Sequence, residues 1–144
     1  MNRVKKQLSL LGVVATLALV FAGVAQAGTL KLSVDVDEAS FIMLLVPGLE
    51  EIGPFTVEGN TGSGDGTFQC WGWFTLNGPA VVSQVFFISG RGSIMTQGIE
   101  GGLLAVTGGT GDFLNVRGEA IQVFADDGTF DFTMEFTLRG ARGD

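Results

Sequence analysis

The 144-residue chain contains no histidine and no tyrosine, and its one cysteine is Cys70. Without histidine there can be no His-based triad, no His-ligated metal and no haem held by a histidine. Without tyrosine no phenol can act as a general acid. A lone cysteine closes no intramolecular disulfide and is too few for a zinc or iron–sulfur site, so neither metal nor cofactor is expected. Positive charge is nearly as scarce. Beyond residue 27 the only basic residues are Lys31, Arg91, Arg117, Arg139 and Arg142, set against all 15 acidic ones, a net charge of 5 − 15 = −10. A surface that acidic argues against nucleic acid and anionic membranes as partners, because phosphates need clustered Lys and Arg.

The N-terminus has a pattern of its own. Arg3, Lys5 and Lys6 precede an apolar run, Leu8–Ala22, which ends in the small-x-small exit Ala25-Gln26-Ala27. This is the form of a secretory signal peptide cut before Gly28. The alternative is a retained anchor, but an apolar stretch of 15 residues falls short of the roughly 20 that a spanning helix needs. No cysteine follows the cut to carry a lipid. Residues 1–27 are therefore expected to be removed, leaving residues 28–144 as one secreted or periplasmic domain with no membrane attachment. Export without a disulfide leaves stability to the core alone.

What remains is rich in glycine, with 21 of the 23 glycines, and in phenylalanine, with 11 of the 12. Frequent glycine argues against long helices, and no window sustains a helical apolar period. Several alternate with period two instead. Leu30, Leu32, Val34 and Val36 alternate with polar neighbours, as do Phe130, Phe132, Met134, Phe136 and Leu138. Further strands are expected at Thr67–Leu76, Ala80–Ile88, Ser93–Gly98, Leu103–Thr107 and Val116–Phe124. Asn77-Gly78-Pro79, Ser89-Gly90-Arg91-Gly92, Gly101-Gly102, Gly108–Gly111 and Asp126-Asp127-Gly128 supply the turns. Pro47–Gly66 fits least and reads as a long loop with at most one strand near Phe55–Glu58. Seven or eight short antiparallel strands, with no helices to cover them, must close into an all-β barrel or fold into a sandwich.

Leu103–Gly118, LLAVTGGTGDFLNVRG, resembles the signature strand and turn of the allene oxide cyclase barrel superfamily, found in looser form in plant dirigent proteins. Gly92–Gly98 (GSIMTQG) is similar to the strand before that turn in the cyclases, and Phe130–Gly140 (FDFTMEFTLRG) to their closing strand. The resemblance implies a single antiparallel eight-stranded barrel around an apolar cavity, assembled as a homotrimer. It also implies cyclase-like (isomerase) or dirigent-like guidance of an apolar substrate into ring closure or coupling. The chain departs from the plant proteins in having no tyrosine, no cystine and no N-x-S/T glycosylation site.

Other motifs read as structural. Gly108–Gly111 lacks the Lys-Ser/Thr of a phosphate loop and is followed by Asp112, so its glycines are expected to bend a barrel corner. Gly59–Gly66 (GNTGSGDG) lacks the repeated spacing of calcium loops. Cys70 shares a strand face with Phe68, Gly72 and Phe74, opposite Trp71 and Trp73. Arg142-Gly143-Asp144 spells an adhesion tripeptide that any glycine-rich tail can match by chance.

The last hairpin gives the candidate site. A two-residue turn at Asp127-Gly128 would set Val123 opposite Phe132, Ile121 opposite Met134, Glu119 opposite Phe136 and Arg117 opposite Leu138. A four-residue loop keeps these faces, whereas a three-residue loop reverses one strand. With the first register, Arg117 and Glu119 point into an apolar interior as a structural ion pair or as the catalytic and anchoring groups. Ile121, Val123, Phe132, Met134 and Phe136 then form the ligand-binding wall. Three functions follow: a barrel guiding the cyclisation or coupling of an apolar small molecule, a carrier of a lipid or other apolar ligand, or a structural barrel filled by its own phenylalanines.

Overall fold

The computed structural model describes residues 28–44, 46–48, 52–62 and 66–140. The expected signal peptide, the tip of the GNTGSGDG segment and the Arg142-Gly143-Asp144 tripeptide lie outside them. Eight strands follow in order: β1 (Gly28–Met43), β2 (Gly53–Thr61), β3 (Gly66–Thr75), β4 (Gly78–Ile88), β5 (Gly92–Ile99), β6 (Leu103–Gly109), β7 (Arg117–Phe124) and β8 (Phe132–Arg139). Each runs antiparallel to the next, and β1 returns to β8 to close the barrel. β1 is long enough to serve two neighbours. Its first half pairs with β8, from Gly28 opposite Leu138 to Val34 opposite Phe132. Its second half pairs with β2 across a register break between Asp37 and Ile42. At that break the Ser40 hydroxyl accepts the Glu58 N–H at 2.8 Å, supplying the acceptor the ladder lacks.

Alternation decides which side chains enter the barrel. In β8, Phe132, Met134, Phe136 and Leu138 are buried while Glu135, Thr137 and Arg139 are exposed. One end of the barrel is packed solid. Phe86, Phe136 and Met134 fill it with Ile94, Leu104 and Val116, and Phe86 meets Phe136 edge-on at 5.4 Å. A 3-10 turn, Gly111–Phe113, stops this end with Phe113, over which the Arg91 guanidinium lies at 5.0 Å. Gly111, at φ +60°, makes this closure possible, because a Cβ there would collide with the Arg91 carbonyl oxygen. The N–H groups of Thr110 and Asp112 donate to the carbonyls of Ser93 and Arg91 at 2.9 and 2.8 Å. The GGTG segment is thus a corner that seals the barrel, with these donors already taken.

The supposed loop before residue 66 contains a nine-residue strand, β2. Asn60 and Gly59 are poor strand formers, but ladders to β1 and β3 on either side override that preference. Outside the barrel, Trp73, Val81, Ile99, Leu103 and Ile121 form one row across β3 to β7 and are 45–61% exposed. This row carries no charge.

Candidate functional site

The β7–β8 register differs by one residue from the two-residue-turn expectation. Arg117 stands opposite Arg139, Glu119 opposite Thr137, Ile121 opposite Glu135 and Val123 opposite Thr133. The cause is the connection, residues 125–131, whose seven residues reverse the parity of the strand. Side-chain acceptors hold this loop open. Asp127 takes the Thr129 N–H and hydroxyl at 3.0 and 2.7 Å, Asp131 takes the Val36 N–H at 2.8 Å, and Glu38 takes the Phe130 N–H at 3.3 Å. Arg117, Glu119, Ile121 and Val123 therefore face outward, the last two about half exposed. Arg117 donates to the Val116 carbonyl at 2.6 Å, and among the described residues it forms no ion pair with Glu119. Gly118, Ala120, Gln122 and Phe124 take the inward positions. Phe132, Met134 and Phe136 point inward as expected, but Met134 and Phe136 belong to the packed end and only Phe132 reaches open space.

That space is a cavity of about 470 Å³ at the other end of the barrel. Phe68 and Phe132, 5.2 Å apart and edge-to-face, form part of its floor. Phe55 and Phe74, 4.6 Å apart, line one wall, and Phe41 packs against both at 5.8 and 6.4 Å. Phe124, 5.9 Å from Phe132, and Phe130 line the opposite side of the mouth. Cys70 lies inside with Phe68 and Phe74, while Trp71 and Trp73 are outside, as the strand alternation requires.

A few polar groups interrupt this apolar lining. Gln84 is 1% exposed, and its Oε1 accepts the Thr96 hydroxyl at 3.0 Å. Its amide nitrogen has no partner among the described residues, although the side chain lines the cavity. A buried donor left unmade costs about 1–3 kcal/mol, which a ligand acceptor can recover. Gln122 also lines the cavity, with its Oε1 taken by the Gly101 N–H at 3.2 Å. Glu100 stands nearer the mouth, where burial raises its carboxyl above the usual range. Burial, with the Glu100 charge adding to it, pushes the Cys70 thiol up to about 12 against a smaller opposing effect of the Gln84 amide. The amide nitrogen has no hydrogen-bond partner among the described residues, and with two N–H groups it has a donor to spare beyond any contact with the Cys70 sulfur. The site thus offers an amide donor, a weakly acidic carboxyl and a neutral thiol. No three His, Cys, Asp or Glu side chains gather as metal ligands among the described residues.

Two of these residues were within reach of the sequence. Gln84 is the one polar side chain in the inward series Ala80, Val82, Gln84 and Phe86, a break in alternation that marks a buried polar group. Gln122 would have followed from an odd-length loop.

No family model matches the chain, and no curated protein does either. Among solved structures it is similar to pyocyanin demethylase, with a TM-score of 0.60 and 20% identity over 77% of this chain and 99% of that one. The likeness is one of fold: a closed ring of antiparallel strands.

Proposed function

We propose that this protein is an exported barrel that binds an apolar small molecule through the open end of its cavity, with Gln84 as the hydrogen-bond donor. One observation carries the reading: a cavity of about 470 Å³, lined largely by phenylalanines, contains a fully buried amide nitrogen with no partner among the described residues. Such volume and sparse polarity are those of small-molecule sites. The filled-barrel reading accounts for only one end of the molecule. The solved neighbour is named for acting on pyocyanin, a small molecule, which supports a ligand role for barrels of this shape.

The resemblance to allene oxide cyclases and dirigents extends the proposal to guidance of a ring closure or coupling. In that role the aromatic walls would select one folded conformation of the substrate, and Glu100, whose carboxyl burial raises above its ordinary range, would be the nearest acid–base group. The exposed row from Trp73 to Ile121 supports assembly of copies of this chain into the homotrimer implied by the same resemblance.

Titration with 6-propionyl-2-dimethylaminonaphthalene, a neutral fluorescent aromatic ketone, tests the binding reading. A saturable blue shift that weakens in Gln84→Met supports it, because the methionine keeps the volume and removes the donor. Absence of saturable change with this probe and with pyocyanin counts against it.

A further inference from the structure

Among the described residues the cavity lining contains Glu38 and Glu100 but no Lys or Arg. Neither carboxylate forms a salt bridge among the described residues, whose ion pairs are Lys31–Glu135 and Arg91–Asp112, both elsewhere. Around them stand Phe41, Phe55, Phe74, Phe124 and Phe130, whose ring faces carry partial negative charge. The charged side chains of the mouth among the described residues therefore have one sign. Inside a partly dry cavity such a field acts with less screening than on the surface.

The two polar features lie at different depths. The Glu100 N–H donates to the Ala80 carbonyl at 3.0 Å, which sets Glu100 level with Ala80, four residues before Gln84 on β4. At about 3.3 Å per residue the two levels are ~13 Å apart along the strand. Gln84, 1% exposed and with an amide nitrogen that has no partner among the described residues, is thus a donor set deeper in the cavity than the backbone of Glu100.

We propose that the cavity is built for an elongated apolar cation, a hydrophobic amine or quaternary ammonium whose nitrogen sits at the mouth beside Glu100, Glu38 and the phenylalanine faces and whose far end presents an acceptor to Gln84. This rests on the binding reading above and narrows its ligand class. It excludes carboxylate ligands such as free fatty acids, which would bring a third negative charge to a mouth with no cation among the described residues. A quaternary nitrogen gains both from the carboxylates and from the rings, the arrangement by which aromatic cages hold such groups.

A matched set of probes tests this: 1,6-diphenylhexatriene, its trimethylammonium derivative and its propionate derivative, all of which fluoresce on leaving water. The cation is expected to bind at least about tenfold more tightly than the neutral polyene, a step of about 1.4 kcal/mol, and the propionate at least about tenfold more weakly. Glu100→Gln should bring the cation to within about threefold of the neutral probe, with Glu38→Gln as a second variant that alters the mouth without touching the interior. Binding of the neutral polyene with no advantage for the cation would overturn the cation assignment and leave the binding reading standing. A cation preference unchanged in both variants would also overturn it. If no polyene gives a saturable signal, the binding reading falls and this inference with it.

Discussion

Gln84 and Thr96 face each other across β4 and β5, and the Thr96 hydroxyl donates to the Gln84 carbonyl oxygen at 3.0 Å. That bond fixes the amide so that its NH2 group is left for the cavity. Gln84→Met combined with Thr96→Val should raise the stability of the ligand-free protein by about 1 kcal/mol, because the unsatisfied amide donor and the hydroxyl bonded to its oxygen disappear together at nearly constant volume. Gln84→Met alone should weaken the aromatic ketone about five- to tenfold. Thr96→Val frees the amide to rotate and should weaken the ketone less. Denaturant melts and fluorescence titrations on the same samples read both effects. A double variant that loses stability would mean that the amide nitrogen has a partner in the folded chain.

Glu100 predicts a pH dependence of definite sign. Its carboxyl is held above its usual 4.5 by burial. Between 4.5 and the raised value, the unfolded chain has released this proton while the folded chain keeps it. Stability from this group therefore falls as pH rises through that window and stays low above it. Glu100→Gln should melt higher than wild type at pH 7, and the difference should vanish towards pH 4. Circular dichroism melts across that range check it, and a variant less stable at pH 7 would contradict it.

Cys70 lines the cavity, yet should behave as an inert thiol. With its pKa pushed up to about 12, first by burial and then by the Glu100 charge, the thiolate fraction at pH 8 is on the order of 10⁻⁴. Reaction with a disulfide reagent should be about a thousandfold slower in the folded protein than in denaturant. Equal rates would mean that the cavity is wetter than its lining implies.

Much of the fold was legible because alternation in the first half of β1 and in β8 is regular and the turns carry glycine or proline. The site was not, and the reason is one residue of parity. Nothing in the string Ala-Asp-Asp-Gly-Thr-Phe-Asp announces that Asp131 will bind the Val36 N–H and Glu38 the Phe130 N–H. Both contacts cross from the hairpin to β1, more than 90 residues away in sequence, and they lengthen the loop to seven residues. β7 thereby turns over, carrying Arg117 and Glu119 outside and Gln122 inside. Strong apolar residues on both faces of β7, Ile121 and Val123 on one and Ala120 and Phe124 on the other, left the pattern unable to choose.

Gly118 fixes that choice. It faces inward at φ +151°, and a Cβ there would collide with the Thr137 carbonyl oxygen. Gly118→Ala should cost about 2–3 kcal/mol and lower the melting temperature by about 10 °C. Gly108, in the neighbouring corner, is the control, since its Cβ would meet only the Arg117 Nη1 at 3.8 Å. Gly108→Ala should be nearly neutral. Equal losses in the two variants would argue against the observed β7–β8 register.

The outer row supplies the last prediction. Val81 is paired with Trp73 on one side and Ile99 on the other, and Leu103 is paired with Ile121. At about 4.8 Å per strand the row runs ~19 Å across the barrel wall. Soluble monomers seldom leave such a stretch in water. Copies of a chain with a net charge of −10 beyond residue 27 repel one another over most of their surface, so a charge-free row is where two copies can approach at least electrostatic cost. The proposed assembly should therefore bury this row. Leu103→Glu combined with Val81→Glu places a charge on each half of it, at positions 61% and 47% exposed, where the fold itself has little to lose. Sedimentation should find wild type as an oligomer at tens of micromolar and the double variant as a monomer with an unchanged far-ultraviolet spectrum. An oligomer that survives both substitutions would place its interface elsewhere, and a wild-type monomer at every concentration would remove the assembly.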